Sequence, residues 1–124
     1  MPVIEIRALP QREGVRGEAV PGAVARSVAD LLGETPSGTW ALWEKIPAGS
    51  YSECGDAPAV QPPATHSPLV RVTAFEGRPA DVVASILATV AETLARELRL
   101  EPGNVFVRYE EQRAGRLYTG GVVR

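Results

Sequence analysis

The chain repeats itself at an interval of 66 residues, and this repeat limits its possible folds more than any other feature. Residues 2–55 fall on residues 68–121 without a gap. Self-similarity at a fixed interval indicates one structural unit that is present twice. The stretch between the repeats, residues 56–67, is rich in proline and is interpreted as a tether rather than a boundary between domains. Pairs that are identical or of one type include Pro2/Pro68, Ile4/Val70, Ala8/Ala74, Arg12/Arg78, Leu32/Leu98, Trp40/Phe106, Glu44/Glu110 and Gly49/Gly115.

The second repeat shows the pattern of a strand, a helix and a second strand most clearly. Leu69–Phe75 is rich in apolar and β-branched residues, which is typical of a strand. Apolar side chains then recur at helical spacing over Val82–Leu98, and Pro79 suits the first turn of that helix. The sequence Glu-Pro-Gly-Asn at 101–104 predicts the end of the helix, and Val105–Tyr109 predicts the closing strand.

The first repeat predicts the same order of elements with weaker signals. Its opening strand is predicted over Pro2–Leu9, where apolar and charged residues partly alternate. Glycine and proline crowd the next stretch, so a regular helix is expected only from about Pro21 to Leu32. Thr39–Lys45, with two tryptophans, predicts the closing strand.

Two units of this kind predict an α+β fold in one domain over residues 1–124. Two parallel strands joined by a helix form a right-handed crossover unit. Two such units can share a four-stranded sheet with both helices on one face. We expect the opposite face to carry apolar side chains that this chain cannot cover, which predicts self-association.

Composition argues against several classes of partner and site. The net charge of −2 argues against nucleic acid or an acidic membrane as a partner, because both require a basic face. Cys54 is the single cysteine and His66 the single histidine, so neither a disulfide nor a structural zinc site is expected. No apolar run reaches the roughly 18 residues of a membrane span, and the first residues do not form a signal pattern. We expect a cytoplasmic protein in which His66 is exposed in the tether.

Pro2 is the residue best suited to act as a catalytic base. A proline directly after the initiator methionine is a small second residue that normally allows Met1 to be trimmed. Its nitrogen would then be a secondary amine at the tip of a largely buried strand, and burial lowers the pKa of an amine towards neutral pH. Pro68, its counterpart in the second repeat, is an internal amide and can only be structural.

The order of these motifs resembles the tautomerase superfamily. That family includes 4-oxalocrotonate tautomerase, malonate semialdehyde decarboxylase, the chloroacrylic acid dehalogenases and macrophage migration inhibitory factor. The resemblance rests on Pro2–Ile6, on Arg12, which lies ten residues after Pro2, and on the stretches Trp40–Ile46, Phe75–Arg78 and Leu94–Tyr109. It implies a β-α-β fold, a homotrimer of duplicated chains and an amino-terminal proline as the catalytic residue.

The same resemblance implies a set of binding residues around Pro2. Arg12 and Arg78 both match the arginine that binds a substrate carboxylate. Arg78 is favoured, because in duplicated members the second-unit arginine works with the first-unit proline. Arg108 is a further candidate for the guanidinium near the substrate. No metal or organic cofactor is required.

Aromatic residues complete the implied pocket. Trp40 and Phe106 fall where the small tautomerase has a second arginine, and an aromatic at the Phe106 position lines the pocket in the dehalogenase and inhibitory-factor groups. Tyr51 matches an apolar position of the pocket wall. One plausible arginine in place of two favours a substrate with a single carboxylate.

The function that follows is a tautomerase acting on a small 2-oxo or 2-hydroxy-dienoic acid, with the Pro2 amine as general acid and base. Two alternatives stay open. A dehalogenase, hydratase or decarboxylase of a three-carbon acid would use the same pocket, but Thr119 stands where dehalogenases have a water-activating acid, and only Glu110 and Glu111 lie on the preceding strand. A non-catalytic trimer would follow if Met1 is retained.

Overall fold

A computed structural model of the chain describes residues 2–124, and its main body is a four-stranded sheet covered on one face by two helices. The predicted α+β fold of two tandem β-α-β units is confirmed. A two-stranded hairpin follows at the carboxyl end. The elements are β1 (Val3–Ala8), α1 (Val20–Leu32), β2 (Trp40–Lys45), β3 (Leu69–Phe75), α2 (Ala80–Glu97), β4 (Phe106–Gln112), β5 (Tyr118–Thr119) and β6 (Val122–Val123).

The strands lie in the order β2-β1-β3-β4. Within each unit the two strands are parallel, and the units meet through antiparallel pairing of β1 with β3. The register places Val3 opposite both Trp40 and Thr73. Because β1 and β3 run in opposite directions, equivalent residues of the two units lie at opposite ends of the sheet.

The hydrophobic core lies between the sheet and the helices. Alternate residues of β1 and β3 face the helices and are fully or almost fully buried, as the period of a strand requires. The apolar stripes of α1 and α2 cover them. The core includes Ile4, Ile6, Val24, Val28, Val70, Val72, Ile86, Val90, Leu94 and Leu98.

The helix boundaries follow from local sequence. Pro21 lies in the first turn of α1, where a missing backbone N–H costs nothing. Gly33 closes α1 in the left-handed conformation with φ 66°, and Arg99, its counterpart in the repeat and the second residue after α2, has φ 54°. Pro79 caps α2 in an extended conformation, one residue before the helix begins.

Backbone hydrogen bonds recur at the repeat interval. The carbonyl oxygen of Pro2 accepts from the N–H of Trp40 at 3.0 Å, and that of Pro68 accepts from the N–H of Phe106 at 3.0 Å. The two prolines therefore have the same place in their units, and both are buried.

The open face of the sheet differs from the expectation of an apolar surface. Trp40, Leu42 and Phe106 are about half exposed there. Charged residues occupy the middle, where Nε of Arg71 donates to a carboxylate oxygen of Glu5 at 2.8 Å. The mixture is possible because this face contacts water in one protomer, and paired charges are tolerated at such a surface.

The tether packs against both units, and the expectation that His66 is exposed is wrong. His66 is 1% exposed, and its Nε2 lies 2.8 Å from the carbonyl oxygen of Asp56. Its Nδ1 lies 2.8 Å from the hydroxyl of Thr65. Gln61 is also buried, with its backbone N–H donating to the carbonyl oxygen of Pro10 at 2.8 Å. An imidazole can be buried in this proline-rich segment because both ring nitrogens have partners.

Among residues 2–124, no helix has the length and hydropathy needed to cross a lipid bilayer. The same residues bring together no group of three or more histidine, cysteine or acidic side chains that could hold a metal ion.

Candidate active site

Pro2 is buried at the tip of β1, between the first residue of β2 and the last residues of β3. Strand pairing on both sides fixes the backbone at this point, because Val3 is hydrogen-bonded into the ladder with two neighbours. Met1, and with it the expectation of its removal, lies outside the described residues. The fold thus holds the Pro2 ring in a defined position at one end of the sheet, here termed the Pro2 end.

Arg78 lies at the Pro2 end as well. It follows the last residue of β3 by three positions, and β3 runs towards the tip of β1. Its guanidinium is half-buried, and Nη1 donates to the hydroxyl of Tyr109 at a long 3.4 Å. This single weak bond leaves most of the five guanidinium donors open to a ligand. A carboxylate could therefore be bound by the remaining N–H groups.

Arg12, the counterpart of Arg78, is used by the protein itself. Its Nη2 donates to the carbonyl oxygens of Leu98 at 3.1 Å and Arg99 at 2.7 Å. These carbonyls belong to the carboxyl end of α2, where no intrahelical donor is available and where a cation interacts favourably with the helix dipole. Arg12 also lies at the end of the sheet opposite to Pro2. The structure gives it the place of a helix-capping residue.

Phe106 and Tyr51 lie at the opposite end from Pro2 in one protomer. Phe106 begins β4, pairs with Leu69 and is 56% exposed. The hydroxyl of Tyr51 donates to the carbonyl oxygen of Ser67 at 2.8 Å, just before β3. Burial raises the pKa of the Tyr51 phenol above its ordinary value, and the Glu53 carboxylate adds to this. A pocket that contains both residues and Pro2 therefore needs a second copy of the chain.

Arg108 lies on the open face of the sheet rather than at either end. Its Nε is 3.5 Å from a carboxylate oxygen of Glu110 on the same strand. It lines a cavity of about 430 Å³ together with Arg7, Arg71 and Glu5. The hydrogen bond from Arg71 to Glu5 raises the pKa of the Arg71 guanidinium above its ordinary value. This cavity is separate from the Pro2 end.

Trp40 flanks the tip of β1 and lines a cleft of about 340 Å³ at the Pro2 end. Its indole is 51% exposed. Phe75, at the end of β3, lines the cleft from the other side of β1. Ser37, Thr119, Gly120 and Arg124 complete the lining. The cleft thus offers two aromatic walls, two hydroxyl groups and a cation.

Sequence reasoning assigned no role to several of these residues. Tyr109 is the hydrogen-bond partner of Arg78. It aligns with Trp43 in the repeat, and this alignment indicates a shared aromatic ring but gives no role to the hydroxyl group. Glu111 accepts from the backbone N–H of Gly77 at 3.3 Å and so lies beside the Arg78 loop. Phe75 and Arg124 line the cleft although they are far apart in sequence. The carboxyl-terminal hairpin, folded against the end of the main sheet, brings them together.

Chemically, one protomer gathers three of the predicted residues, Pro2, Trp40 and Arg78, at one end of the sheet. A base at the tip of β1 would lie in a partly apolar place, at the same end of the sheet as an arginine with free donors. Such a pair can bind a carboxylate and exchange a proton with a nearby atom.

No protein-family model matches the sequence, and the comparison with curated proteins gives no match. Solved structures are similar over nearly the whole chain. A wild-type fused 4-OT in an asymmetric trimer has a TM-score of 0.82 at 19% identity, over 98% of this chain and 94% of that one. A member of the cis-3-chloroacrylic acid dehalogenase family has a TM-score of 0.77 at 17% identity, over 98% of this chain and 82% of that one. Macrophage migration inhibitory factor from Toxoplasma gondii has a TM-score of 0.73 at 15% identity, over 98% of this chain and 99% of that one.

These likenesses show the fold. The match to a fused 4-OT includes both units of this chain. The resemblance to the tautomerase superfamily is confirmed at this level: the chain has the fold of the fused 4-OT structures.

Proposed function

We propose that this chain is a cofactor-independent keto–enol tautomerase for a small 2-oxo or 2-hydroxy-dienoic acid. The observation that supports this most strongly is the placement of buried Pro2 and half-buried Arg78 at the same end of the sheet. Arg12, which is equivalent in the repeat, is occupied by the carbonyls of α2. The fold shared with a fused 4-OT agrees with the proposal.

In the proposed mechanism, Met1 is removed and the Pro2 nitrogen is a neutral secondary amine. The amine accepts the hydroxyl proton of a 2-hydroxy-dienoate, and the resulting ammonium returns a proton to a carbon of the conjugated chain. The enol thereby becomes a ketone, and the free amine is regenerated. One group can do both steps when its pKa is near the working pH.

Arg78 has two tasks in this mechanism. It binds the substrate carboxylate through its free N–H groups, and it stabilises the negative charge that builds on the oxygen while the proton moves. Tyr109 accepts one N–H of Arg78 and so restricts the orientation of the guanidinium. Tyr109 is a positioning residue in this scheme.

The proposal includes self-association as a homotrimer. The open face of the sheet has half-exposed Trp40, Leu42 and Phe106, which a second copy would cover. The far end of a neighbouring protomer would bring its Phe106 and Tyr51 towards Pro2 and exclude water there. The trimer named for the similar fused 4-OT agrees with this arrangement.

The test is ketonisation of phenylenolpyruvate, followed by ultraviolet absorbance, in the Pro2→Ala and Pro68→Ala variants. Pro68 is a matched control because it has the same buried place and the same carbonyl hydrogen bond. We expect Pro2→Ala to lower kcat/KM at least about 100-fold, the usual contribution of a general acid–base group. Pro68→Ala should stay near the parent value. Equal losses in both variants would contradict the proposal.

The mass of the intact protein provides an independent check. Loss of one methionine residue from the mass is expected for the active enzyme. Retained Met1, together with the absence of enol conversion, would favour the reading of a non-catalytic trimer.

A second candidate function is hydration or hydrolytic dehalogenation of a three-carbon acid at the same place, with decarboxylation as a related outcome. Glu111 supports it, because its carboxylate lies beside the Arg78 loop and could activate water. Chloride release from 3-chloroacrylate, or CO₂ release from malonate semialdehyde, would reveal these activities. Chloride release should be lost in Glu111→Gln.

A further inference from the structure

Thr39 has a buried hydroxyl group at the Pro2 end of the sheet. The residue is 5% exposed, and its Oγ1 has no hydrogen-bond partner among residues 2–124. Buried hydroxyl groups in folded proteins nearly always have a partner, because an unpaired one has lost its bonds to water without replacement. An exception to this rule points to a group beside it that the folded chain alone does not supply.

The backbone places Thr39 next to Pro2. The N–H of Trp40 donates to the carbonyl oxygen of Pro2 at 3.0 Å, and Val3 pairs with Trp40 in the parallel register. One residue earlier on both chains, Pro2 therefore lies beside Thr39, at the spacing of about 4.8 Å between neighbouring strands. Thr39 is extended, with φ −120° and ψ 119°, so the alternation of β2 continues through it.

Both side chains lie on the helix face of the sheet. Pro2 precedes buried Ile4 by two residues, and Thr39 precedes Ala41, which packs against the core, by the same number. The nitrogen of Pro2 points towards β2 as well. N and C=O of one residue in a strand point to the same side, and the C=O of Pro2 accepts from Trp40. The nitrogen and the unpaired hydroxyl group are thus neighbours.

The second unit has no hydroxyl group at this position. The counterpart of Thr39 at the repeat interval is Val105. It lies beside Pro68 in the same way, since the N–H of Phe106 donates to the carbonyl oxygen of Pro68 at 3.0 Å. Valine has the shape of threonine without its hydroxyl group. The hydroxyl group is therefore present beside the proline that can become an amine and absent beside the proline whose nitrogen is an internal amide.

We propose that Thr39 is a positioning residue of this site, whose hydroxyl group is the hydrogen-bond partner of the Pro2 amine in both of its protonation states. The inference rests on the proposed function for the removal of Met1 and for the reaction. A hydroxyl group has one donor and two acceptor lone pairs, and it can rotate. It donates to the lone pair of the neutral amine. After the amine has taken the substrate proton, the hydroxyl oxygen accepts an N–H of the ammonium and keeps its own proton.

The hydroxyl group should favour the charged form of the amine over the neutral one. A hydrogen bond donated by an ammonium is about twice as strong as one between neutral groups. Burial lowers the pKa of the Pro2 amine, and the bond to Thr39 offsets part of this decrease. Removal of the hydroxyl group should therefore lower the pKa further.

The first experiment measures the amine without turnover. In protein labelled with ¹⁵N-proline, only a free amino-terminal proline has a nitrogen that titrates, because every other proline nitrogen is an amide. Its ¹⁵N chemical shift against pH gives the pKa. Thr39→Val should lower this pKa by about one unit, a tenfold change in proton affinity. Thr39→Ser keeps the hydroxyl group and should stay close to the parent value.

Val105→Thr is the matched control, because it adds a hydroxyl group beside Pro68, where no amine exists. It should leave the pKa of the Pro2 amine unchanged. The charged groups at this end of the sheet are the same in all variants, so they do not cause a difference between them. These groups are Glu34 after α1, Arg78 after β3, Asp81 in the first turn of α2, Glu110 and Glu111 on β4, and Arg124 after the hairpin.

Three outcomes would overturn the inference. The first is an equal pKa in the parent and Thr39→Val, and the second is the absence of any titrating proline nitrogen. The third is an equal decrease in Thr39→Val and Thr39→Ser, which would show that packing, rather than the hydroxyl group, determines the pKa.

The second experiment separates this inference from the proposed function. Ketonisation of phenylenolpyruvate is followed between about pH 5 and about pH 9 in the parent, Thr39→Val, Thr39→Ser and Pro2→Ala proteins. Thr39→Val should lower kcat about tenfold, because the amine is no longer held in one direction, while KM stays within about twofold. The acidic limb of its kcat/KM profile should move to lower pH by about one unit, and Thr39→Ser should restore both.

The results for Pro2 and Thr39 are independent of each other. Pro2-dependent turnover with an unchanged kcat and pH profile in Thr39→Val would overturn the role of Thr39 and leave the tautomerase proposal in place. A pKa of the amine that depends on Thr39, without Pro2-dependent turnover, would support the hydrogen bond and overturn the tautomerase proposal.

Discussion

Arg12 and Arg78 show how two equivalent residues can acquire different tasks. Both lie ten residues after the proline that begins their unit. Arg12 binds two carbonyls at the end of α2, whereas Arg78 has a single long bond to Tyr109. The two arginines lie at opposite ends of the sheet, where Arg12 reaches the carboxyl end of α2 and Arg78 reaches Tyr109 on β4.

This difference predicts opposite phenotypes for the two alanine substitutions. Arg12→Ala should lower the free energy of unfolding by about 1–2 kcal/mol, since two carbonyls lose a charged donor. Arg78→Ala should change the free energy of unfolding by less than about 0.5 kcal/mol but lower kcat/KM at least tenfold. Urea unfolding and phenylenolpyruvate kinetics on both variants measure this. An exchange of the two phenotypes would show that Arg12 is the substrate-binding arginine.

Among the elements, the tether is the one whose structure the sequence did not reveal. Its prolines predicted a break in regular structure, and no helix or strand of the main sheet lies there. Its packing depends on bonds between residues far apart in sequence. Asn104 donates through Nδ2 to the carbonyl oxygens of Pro63 at 3.1 Å and Thr65 at 3.0 Å. Local patterns do not contain this information, and so His66 was misplaced.

Asn104→Ala should therefore destabilise the protein by about 2 kcal/mol. The buried Asn104 side chain donates through Nδ2 to two carbonyl oxygens of the tether. Its Oδ1 accepts from the Ser67 hydroxyl at 2.8 Å, so the substitution would remove all of these bonds. Ser85→Ala, which removes one exposed hydroxyl bond, is the control and should stay within about 0.5 kcal/mol. Thermal unfolding measures both variants. A loss for Asn104→Ala no larger than that of the control would contradict the contribution of this amide.

Tyr51 donates to Ser67 at the end of the tether and predicts a pH dependence for this contact. Burial, with the nearby Glu53 carboxylate, raises the pKa of its phenol in the folded state. A group with a raised folded pKa contributes stability that is complete below its unfolded pKa, about 10. This contribution is lost as pH rises through the folded value, because the phenolate no longer donates to Ser67.

The parent protein should therefore lose stability above about pH 10, and Tyr51→Phe should lose less over the same range. Urea unfolding at pH 8, 10 and 11 tests this. Tyr118→Phe is the control, because Tyr118 is 70% exposed. Parallel pH profiles for the parent and Tyr51→Phe would show that Tyr51 does not cause the loss.

At the scale of the whole molecule, two substitutions distinguish association through the open face of the sheet from association through the helices. Leu42 lies on the open face and is 44% exposed, whereas Leu31 lies on α1 and is 43% exposed. Leu42→Glu should dissociate the proposed trimer, because a charge would be buried at the interface. Leu31→Glu should leave it intact. Sedimentation velocity on both variants measures the result, and dissociation by Leu31→Glu alone would place the contact on the helices.

The sequence was sufficient for the architecture because each unit has strong local patterns. The strand Leu69–Phe75 agrees with the prediction residue for residue, and the helices differ from it by one or two residues at their ends. The sequence did not reveal at which end of the sheet each candidate residue lies. That depends on the antiparallel pairing of β1 with β3, which no local pattern encodes. Within one protomer, Trp40 and Arg78 consequently lie at the same end of the sheet as Pro2, whereas Tyr51 and Phe106 lie at the opposite end.

The place of Pro68 at the end of the tether has a consequence for stoichiometry. Its nitrogen is an amide that joins Ser67 to the second unit, so of two prolines with equivalent positions only one can become an amine. A reagent specific for secondary amines should label a processed chain once and never twice. A trimer of fused chains would then have three reactive prolines, half as many as a hexamer of unfused units. The three Pro68 positions would have no amine, so substitutions around them would not affect a reactive group.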